Sequence, residues 1–300
     1  MIEPLLVNNQ VPEKPRSFSV TPGKLLVAII SCLLLVCCGI CMLPVFVFLG
    51  WKITDLIQYP SKPSSADNMV LMYVSSGEFI MGGGGNPALG DGVPIHRVRL
   101  NAFWIDRTEV TNRMYTLCVK AGKCKPPGKK YSATRKIYYD DVRYAAYPVI
   151  FVSWSDANDY CAWAGRRLPT EAEWEKAARG SDGREYPWGN QPSKQLANYG
   201  GANDTMMVGS FPAGASPFEA MDMAGNVWEW VADWYSGSYY SISPSSNPTG
   251  PESGDRRVLR GGAWSIDDSN DFNVRTATRI AYEPWISNDK IGFRCAVSQP

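Results

Sequence analysis

The hydrophobic pattern divides the chain sharply. Leu25 to Leu49 carries no charged residue, whereas charged residues recur throughout the chain after it. The uncharged segment measures roughly 37 Å as a helix, against a bilayer core of about 30 Å. Further on, Met69–Val74 is a β-like run, and Gly77–Gly82 reads as a second strand after a turn. Val98–Ile105 is expected to form one strand, followed by a helix start at Asp106–Asn112 with Thr111 capping Asn112–Val119 and Gly122 as the stop. Pro148–Trp154 reads as another strand. Ser155 is then expected to cap a helix through Ala164 that stops at Gly165. Thr170-Glu-Ala-Glu173 is a capping box opening a helix that carries Trp174, Ala177 and Ala178 as packing residues. Tyr186–Asn190 and Phe211–Pro217 are turns, and no internal repeat is visible. Short strands, few helices and abundant Gly and Pro predict an irregular α+β domain.

Residues 1–22 are polar and proline-rich and read as a cytoplasmic tail. Residues 23–51 form a transmembrane helix in this reading, 52–67 a linker and 68–297 the main domain. The apolar segment runs into Leu49-Gly50-Trp51-Lys52 without the small-residue exit of a cleaved signal peptide, so it is taken as an uncleaved single-pass anchor. Lys14, Arg16 and Lys24 precede it and Lys52 and Lys62 follow. That excess places the amino terminus in the cytoplasm and the domain outside the cell membrane.

The net charge of +1 gives no electrostatic reason for a nucleic-acid partner. A single histidine, His96, excludes any multi-histidine metal site and reads as a surface residue. The glycines Gly82–Gly85 lack the Lys-Ser/Thr ending of a phosphate loop. Cys32, Cys37, Cys38 and Cys41 lie within the apolar segment, while Cys118, Cys124, Cys161 and Cys295 form an even set in the outer domain. Basic residues from Lys120 to Lys136 surround a loop, which reads first as a solvated surface and second as a patch for membrane headgroups or an acidic ligand.

Several ordered strings go further. Gly165-Arg-Arg-Leu-Pro-Thr-Glu-Ala-Glu-Trp-Glu175, Gly225-Asn-Val-Trp-Glu-Trp230, Arg257-Val-Leu-Arg-Gly-Gly-Ala-Trp264, Asn273-Val-Arg-Thr-Ala-Thr-Arg279 and Gly292-Phe-Arg-Cys-Ala296 occur in this sequence. Together they make the chain resemble the formylglycine-generating enzyme family, the sulfatase-modifying-factor domain, over about residues 68 to 297. The resemblance implies a fold related to C-type lectins. It also implies an oxidase that holds copper(I) between two cysteines five positions apart, after a Gly-Gly-Ser-aromatic segment. Those cysteine positions fall here on Ile266 and Asp271, and the serine position on Ala263. Isoleucine offers no ligand atom and a carboxylate is a hard one, whereas copper(I) selects soft sulfur. Copper is therefore not expected, and the pocket would be a degenerate one of Ala263, Ile266, Asp271, Trp228 and Arg275.

The resemblance further implies disulfides Cys118–Cys124 and Cys161–Cys295. A further family disulfide would need cysteines at Ala178 and Thr276, and both are absent together. It also implies structural calcium, held by the side chains of Asp222 and Glu229 and the carbonyls of Gly225 and Val227. The competing reading is that Glu229 pairs with an arginine. A second calcium site would use Asn198 and the carbonyl of Tyr199, with Asp204 as a loose candidate. The expected function is a membrane-anchored extracytoplasmic module of this family that binds a peptide, protein or glycan without catalysis. The alternative is an oxidoreductase of the same family acting on a peptide or small molecule, with Asp271 as a general base or metal ligand.

Overall fold

The computed structural model describes residues 60–83, 92–266 and 273–299. Among the described residues, three sheets and three α-helices, with three short 3-10 helices, make up the regular structure. The first sheet has the order β1 (Ser61–Pro63), β2 (Val70–Val74), β5 (Phe103–Asp106), β10 (Ala296–Ser298), all antiparallel. A hairpin-like pair joins β3 (Gly77–Met81) to β4 (His96–Leu100). The third sheet runs β8 (Arg279–Tyr282), β7 (Arg257–Arg260), β6 (Trp228–Trp234), β9 (Ile291–Phe293), and only β6–β9 is parallel. Mixed α and β elements without repeating βαβ units agree with the expected α+β class.

The helices start where side chains can replace the missing amide acceptors. In α1 (Asn112–Lys120) the Thr111 hydroxyl accepts from the Met114 amide. Reciprocal capping boxes open α2 (Trp154–Trp163) through Ser153 and Asp156 and α3 (Glu171–Arg179) through Thr170 and Glu173. Each such cap contributes about 1 kcal/mol. Every residue of α3 is buried, although it carries five charged side chains. That is sustainable only because partners meet them. Arg279 forks onto Glu171 at 2.8 Å, Arg260 and Arg179 both bind Glu175, and Lys176 donates to the carbonyls of Ser75 and Gly77. Helix α3 is thereby locked to β3, β7 and β8 by charge as well as by Trp174, Ala177 and Ala178.

Four sequence expectations change. The linker expected over 52–67 is in part structural: Ser61–Pro63 pairs with β2, and Asp67 is buried against Arg166 and Tyr160. Proline is tolerated there because β1 is an edge strand. Val98–Ile105 is not one strand but two, broken at Asn101 and Ala102, and its halves enter different sheets. Pro148–Trp154 forms no strand beyond a bridge from Pro148 to Thr111, because Phe151 takes φ 57°, which no extended ladder accommodates. The cap of α2 is Ser153, not Ser155. No helix among the described residues is long and apolar enough to cross a membrane, and the anchor expected at Leu25–Leu49 lies outside the described residues.

Candidate functional site

The Gly-Gly-Ala-Trp string leaves the end of β7 through two left-handed glycines, Gly261 at φ 94° and Gly262 at φ 81°. It is stitched to the Gly225–Glu229 string by two backbone bonds, Gly225 N–H to the Gly261 carbonyl at 2.8 Å and Trp264 N–H to the Asn226 carbonyl at 2.9 Å. Two of the strings that carry the resemblance are thus one physical unit. Ala263 is fully buried, and Trp228 and Trp264 are nearly so. Ile266 packs among Val274, Tyr186 and Ala224. A Cβ on Gly262 would stand 2.6 Å from Val274 Cγ1 and 3.0 Å from Ile266 Cδ1, so this corner is closed by aliphatic carbon. Arg275 is a third exposed, with its Nε 3.4 Å from a Glu185 carboxylate oxygen. Asp271 lies outside the described residues.

Both disulfides implied by the resemblance are present, Cys118–Cys124 with Cα atoms 5.3 Å apart and Cys161–Cys295 with Cα atoms 5.6 Å apart. These four are the only cysteines after residue 41. The thiolate that copper(I) requires is consequently missing from the described residues.

Behind the Gly225–Glu229 string lies a buried ionic cluster. Glu109, Glu229 and Arg294 are all fully buried. Arg294 grips Glu229 through Nε at 2.6 Å and a terminal nitrogen at 2.7 Å, and donates to the carbonyls of Asp106, Arg107 and Met221. Trp174 Nε1 donates to Glu229 at 2.7 Å. Asp222, held at φ 57°, accepts from the Gly209 amide at 2.6 Å. Glu109 accepts from Asn226 at 2.9 Å through one oxygen, and its carboxyl meets that of Asp222 closely enough for the two to share a proton. Burial, then the charges of Asp222 and Glu229, push the Glu109 carboxyl well up; burial raises Asp222 as well. Three carboxylates thus face one guanidinium in a dry interior, and either a proton or a cation must relieve them.

The sequence reading missed Glu109 and Arg294 as members of this cluster. Arg294 carried a signal, a charged residue between Phe293 and Cys295 in an apolar run, whereas Glu109, set in the polar string Asp106-Arg-Thr-Glu-Val-Thr-Asn112, carried none. Glu229 does pair with an arginine, as the competing reading had it. No three His, Cys, Asp or Glu side chains among the described residues form a metal-holding group. A calcium site needs fewer, because main-chain carbonyls supply part of its oxygen shell. The excess negative charge of Glu109, Asp222 and Glu229 suits a cation, to whose shell the resemblance would add the Gly225 and Val227 carbonyls. Gly225 itself must be glycine, since a Cβ would meet the Asn198 carbonyl at 2.5 Å.

The second calcium site fares worse. Asn198 turns its amide nitrogen to the Asp204 carbonyl at 3.2 Å and to Asn226 Oδ1 at 3.1 Å, and Tyr199 is buried. The Asp204 carboxylate is committed to Ser132, Thr134, Thr205 and Arg135, four protein partners within 2.9 Å. Asp204 is therefore withdrawn as a candidate ligand.

Residues 57–299 match the Sulfatase-modifying factor enzyme 1-like domain. The chain is 36% identical to a formylglycine-generating enzyme of Streptomyces coelicolor, over 79% of this chain and 91% of that protein. It is 41% identical to a mouse protein named inactive C-alpha-formylglycine-generating enzyme 2, over 50% of this chain and 49% of that one. Among solved structures, PvdO from Pseudomonas aeruginosa superposes with a TM-score of 0.67 at 28% identity, covering 81% of this chain and all of that one. The chain belongs to the sulfatase-modifying factor enzyme 1-like family.

Proposed function

We propose that this chain is a non-catalytic member of its family, a binding module that reaches a peptide, protein or glycan ligand through the surface at Ser265 and Ile266, the exposed end of the string whose Ala263 and Trp264 are buried, as is Trp228. One observation carries the reading: every cysteine after residue 41 is tied in a disulfide, and the position where relatives place a copper thiolate is the aliphatic Ile266. A one-electron copper centre has no soft donor there. In this reading Leu25–Leu49 anchors the chain in the cell membrane with its amino terminus in the cytoplasm. Calcium is held beside Glu109 and Asp222 by the Gly225 and Val227 carbonyls, with Glu229 and Arg294 completing the charge balance. The ion would supply positive charge and rigidity, not chemistry. The family also contains a member named inactive, which makes loss of catalysis on this fold a reasonable outcome.

The test is copper(I) uptake. The purified chain is titrated against a colorimetric copper(I) chelator under reducing conditions too mild to open the disulfides, with the residues before Tyr59 removed in a control. The proposal expects no competition from the domain. Stoichiometric withdrawal of copper(I) from the chelator by residues 59–300 would overturn it.

A further inference from the structure

The loop between α1 and the Tyr138–Tyr147 segment is absorbed by neither the fold core nor the proposed pocket. It exposes Lys120, Lys123, Lys125, Lys129, Lys130 and Lys136, and of these only Lys130 has an ion-pair partner among the described residues, Asp140 at 2.8 Å. A purely solvated lysine loop would carry polar neighbours. This one carries large apolar tips: Ile137 is 62% exposed, Tyr131 46% and, from a separate loop, Trp285 72%. Trp285 and Lys125 line one open cleft of about 470 Å³ whose wall is Phe151, and the Tyr131 ring stands edge-on to Phe151 at 5.2 Å. The loop is held rigidly rather than splayed. Cys118–Cys124 closes its start, Tyr115 O–H donates to the Lys125 carbonyl at 3.0 Å, and the Gly128 amide to the Phe151 carbonyl at 3.0 Å.

We propose that this face docks on the surface of a bilayer rich in anionic lipid headgroups. Charge alone would suit any polyanion. The interleaved tryptophan, tyrosine and isoleucine single out a bilayer, because aromatic side chains settle at the headgroup level and an aliphatic tip gains nothing from a soluble polyanion. The inference rests in part on the proposed anchor, which would hold the domain beside such a surface: the chain from Leu49 to Pro60 reaches at most about 40 Å when fully extended. Over that distance a weak surface contact becomes an intramolecular one, with a high effective concentration.

The test uses the full chain mixed with lipid nanodiscs, one set of phosphatidylcholine and one containing phosphatidylglycerol, read by amide hydrogen exchange. Retention on phosphatidylcholine discs reads the anchor. Slower exchange of residues 120–137 and 283–287 in the anionic discs reads the face, so each idea fails without the other. Docking predicts that the slowing disappears in a Lys123→Glu, Lys125→Glu, Lys129→Glu variant. Losing one lysine's attraction weakens docking about five-fold near such a surface, so losing three weakens it on the order of a hundred-fold, and the repulsion of the added glutamates weakens it further. Trp285→Ser should weaken the slowing while leaving the fold unchanged. Equal exchange in both disc types would overturn the proposal. So would slowing by soluble polyphosphate that anionic discs fail to reproduce, which would assign the face to a polyanion instead.

Discussion

Replacing Arg294 by methionine probes the ionic cluster on which the candidate site is built. The side chain is fully buried, with Nε at 2.6 Å and a terminal nitrogen at 2.7 Å from the two Glu229 oxygens, and three carbonyls within 3.2 Å. Methionine fills most of the volume but strands the Glu229 carboxylate with only the Trp174 donor. Breaking a buried pair from one side costs about 3–5 kcal/mol. The three carbonyls that lose a donor add about 1 kcal/mol each at most, and such terms overlap. Arg294→Met should therefore destabilise by at least about 4 kcal/mol, a large share of the 5–15 kcal/mol of a typical domain. Equilibrium urea unfolding followed by tryptophan fluorescence measures it, in excess chelator to keep metal out of the comparison. Adding Glu229→Gln to Arg294→Met should recover about 2 kcal/mol or more, because the stranded charge is gone. A single-variant cost below about 1 kcal/mol, or a double variant no better than the single one, would refute the reasoning. If the single variant does not fold, the double variant still reports the recovery.

Three further outcomes follow from the same geometry. Asp106, raised by burial to about 7 from 3.8, and Asp233, raised to about 8 by burial and then by Glu171, hold more protons folded than unfolded. Stability in chelator should thus fall as pH climbs from about 4 to 8, by at most about 4 kcal/mol for Asp106, and a melting temperature that rises over that window contradicts this. The proposed calcium ion needs Glu109 and Asp222 ionised, so any stabilisation by added calcium should be larger at pH 8 than at pH 5; calorimetry with and without the ion checks the sign. Removing Cys161–Cys295, whose partners lie 134 residues apart, should cost about 5 kcal/mol by loop entropy, against about 2 for Cys118–Cys124, 6 apart. Paired serine variants compared by urea midpoint would expose an inverted order.

The sequence made legible what is local or what a string of residues carries. Helix starts at Thr111 and Thr170 were readable because a hydroxyl three residues before an amide is a local device. The stitched strings Gly225–Glu229 and Gly261–Trp264 were readable as a family signature, though not as a single unit. What could not be read were partnerships between distant charges. Asp67 with Arg166, Glu171 with Arg279 and Glu229 with Arg294 join positions that no periodicity relates. The same blindness explains the linker: Pro60–Asp67 has loop composition, yet edge pairing to β2 and the buried Asp67 carboxylate make it part of the domain. Phe151 shows the opposite failure, an apolar run with strand composition that its positive φ forbids from pairing.

The account stands or falls on the missing thiolates, and the direct measurement is turnover. The purified chain, loaded with copper(I) and supplied with oxygen and reductant, is incubated with a cysteine-containing sulfatase-motif peptide, and the peptide mass is followed. An unchanged peptide is expected from the natural sequence, and copper(I) binding by residues 59–300 only after Ala263→Ser, Ile266→Cys and Asp271→Cys are introduced together. Conversion of the cysteine to an aldehyde by the unaltered chain would contradict it.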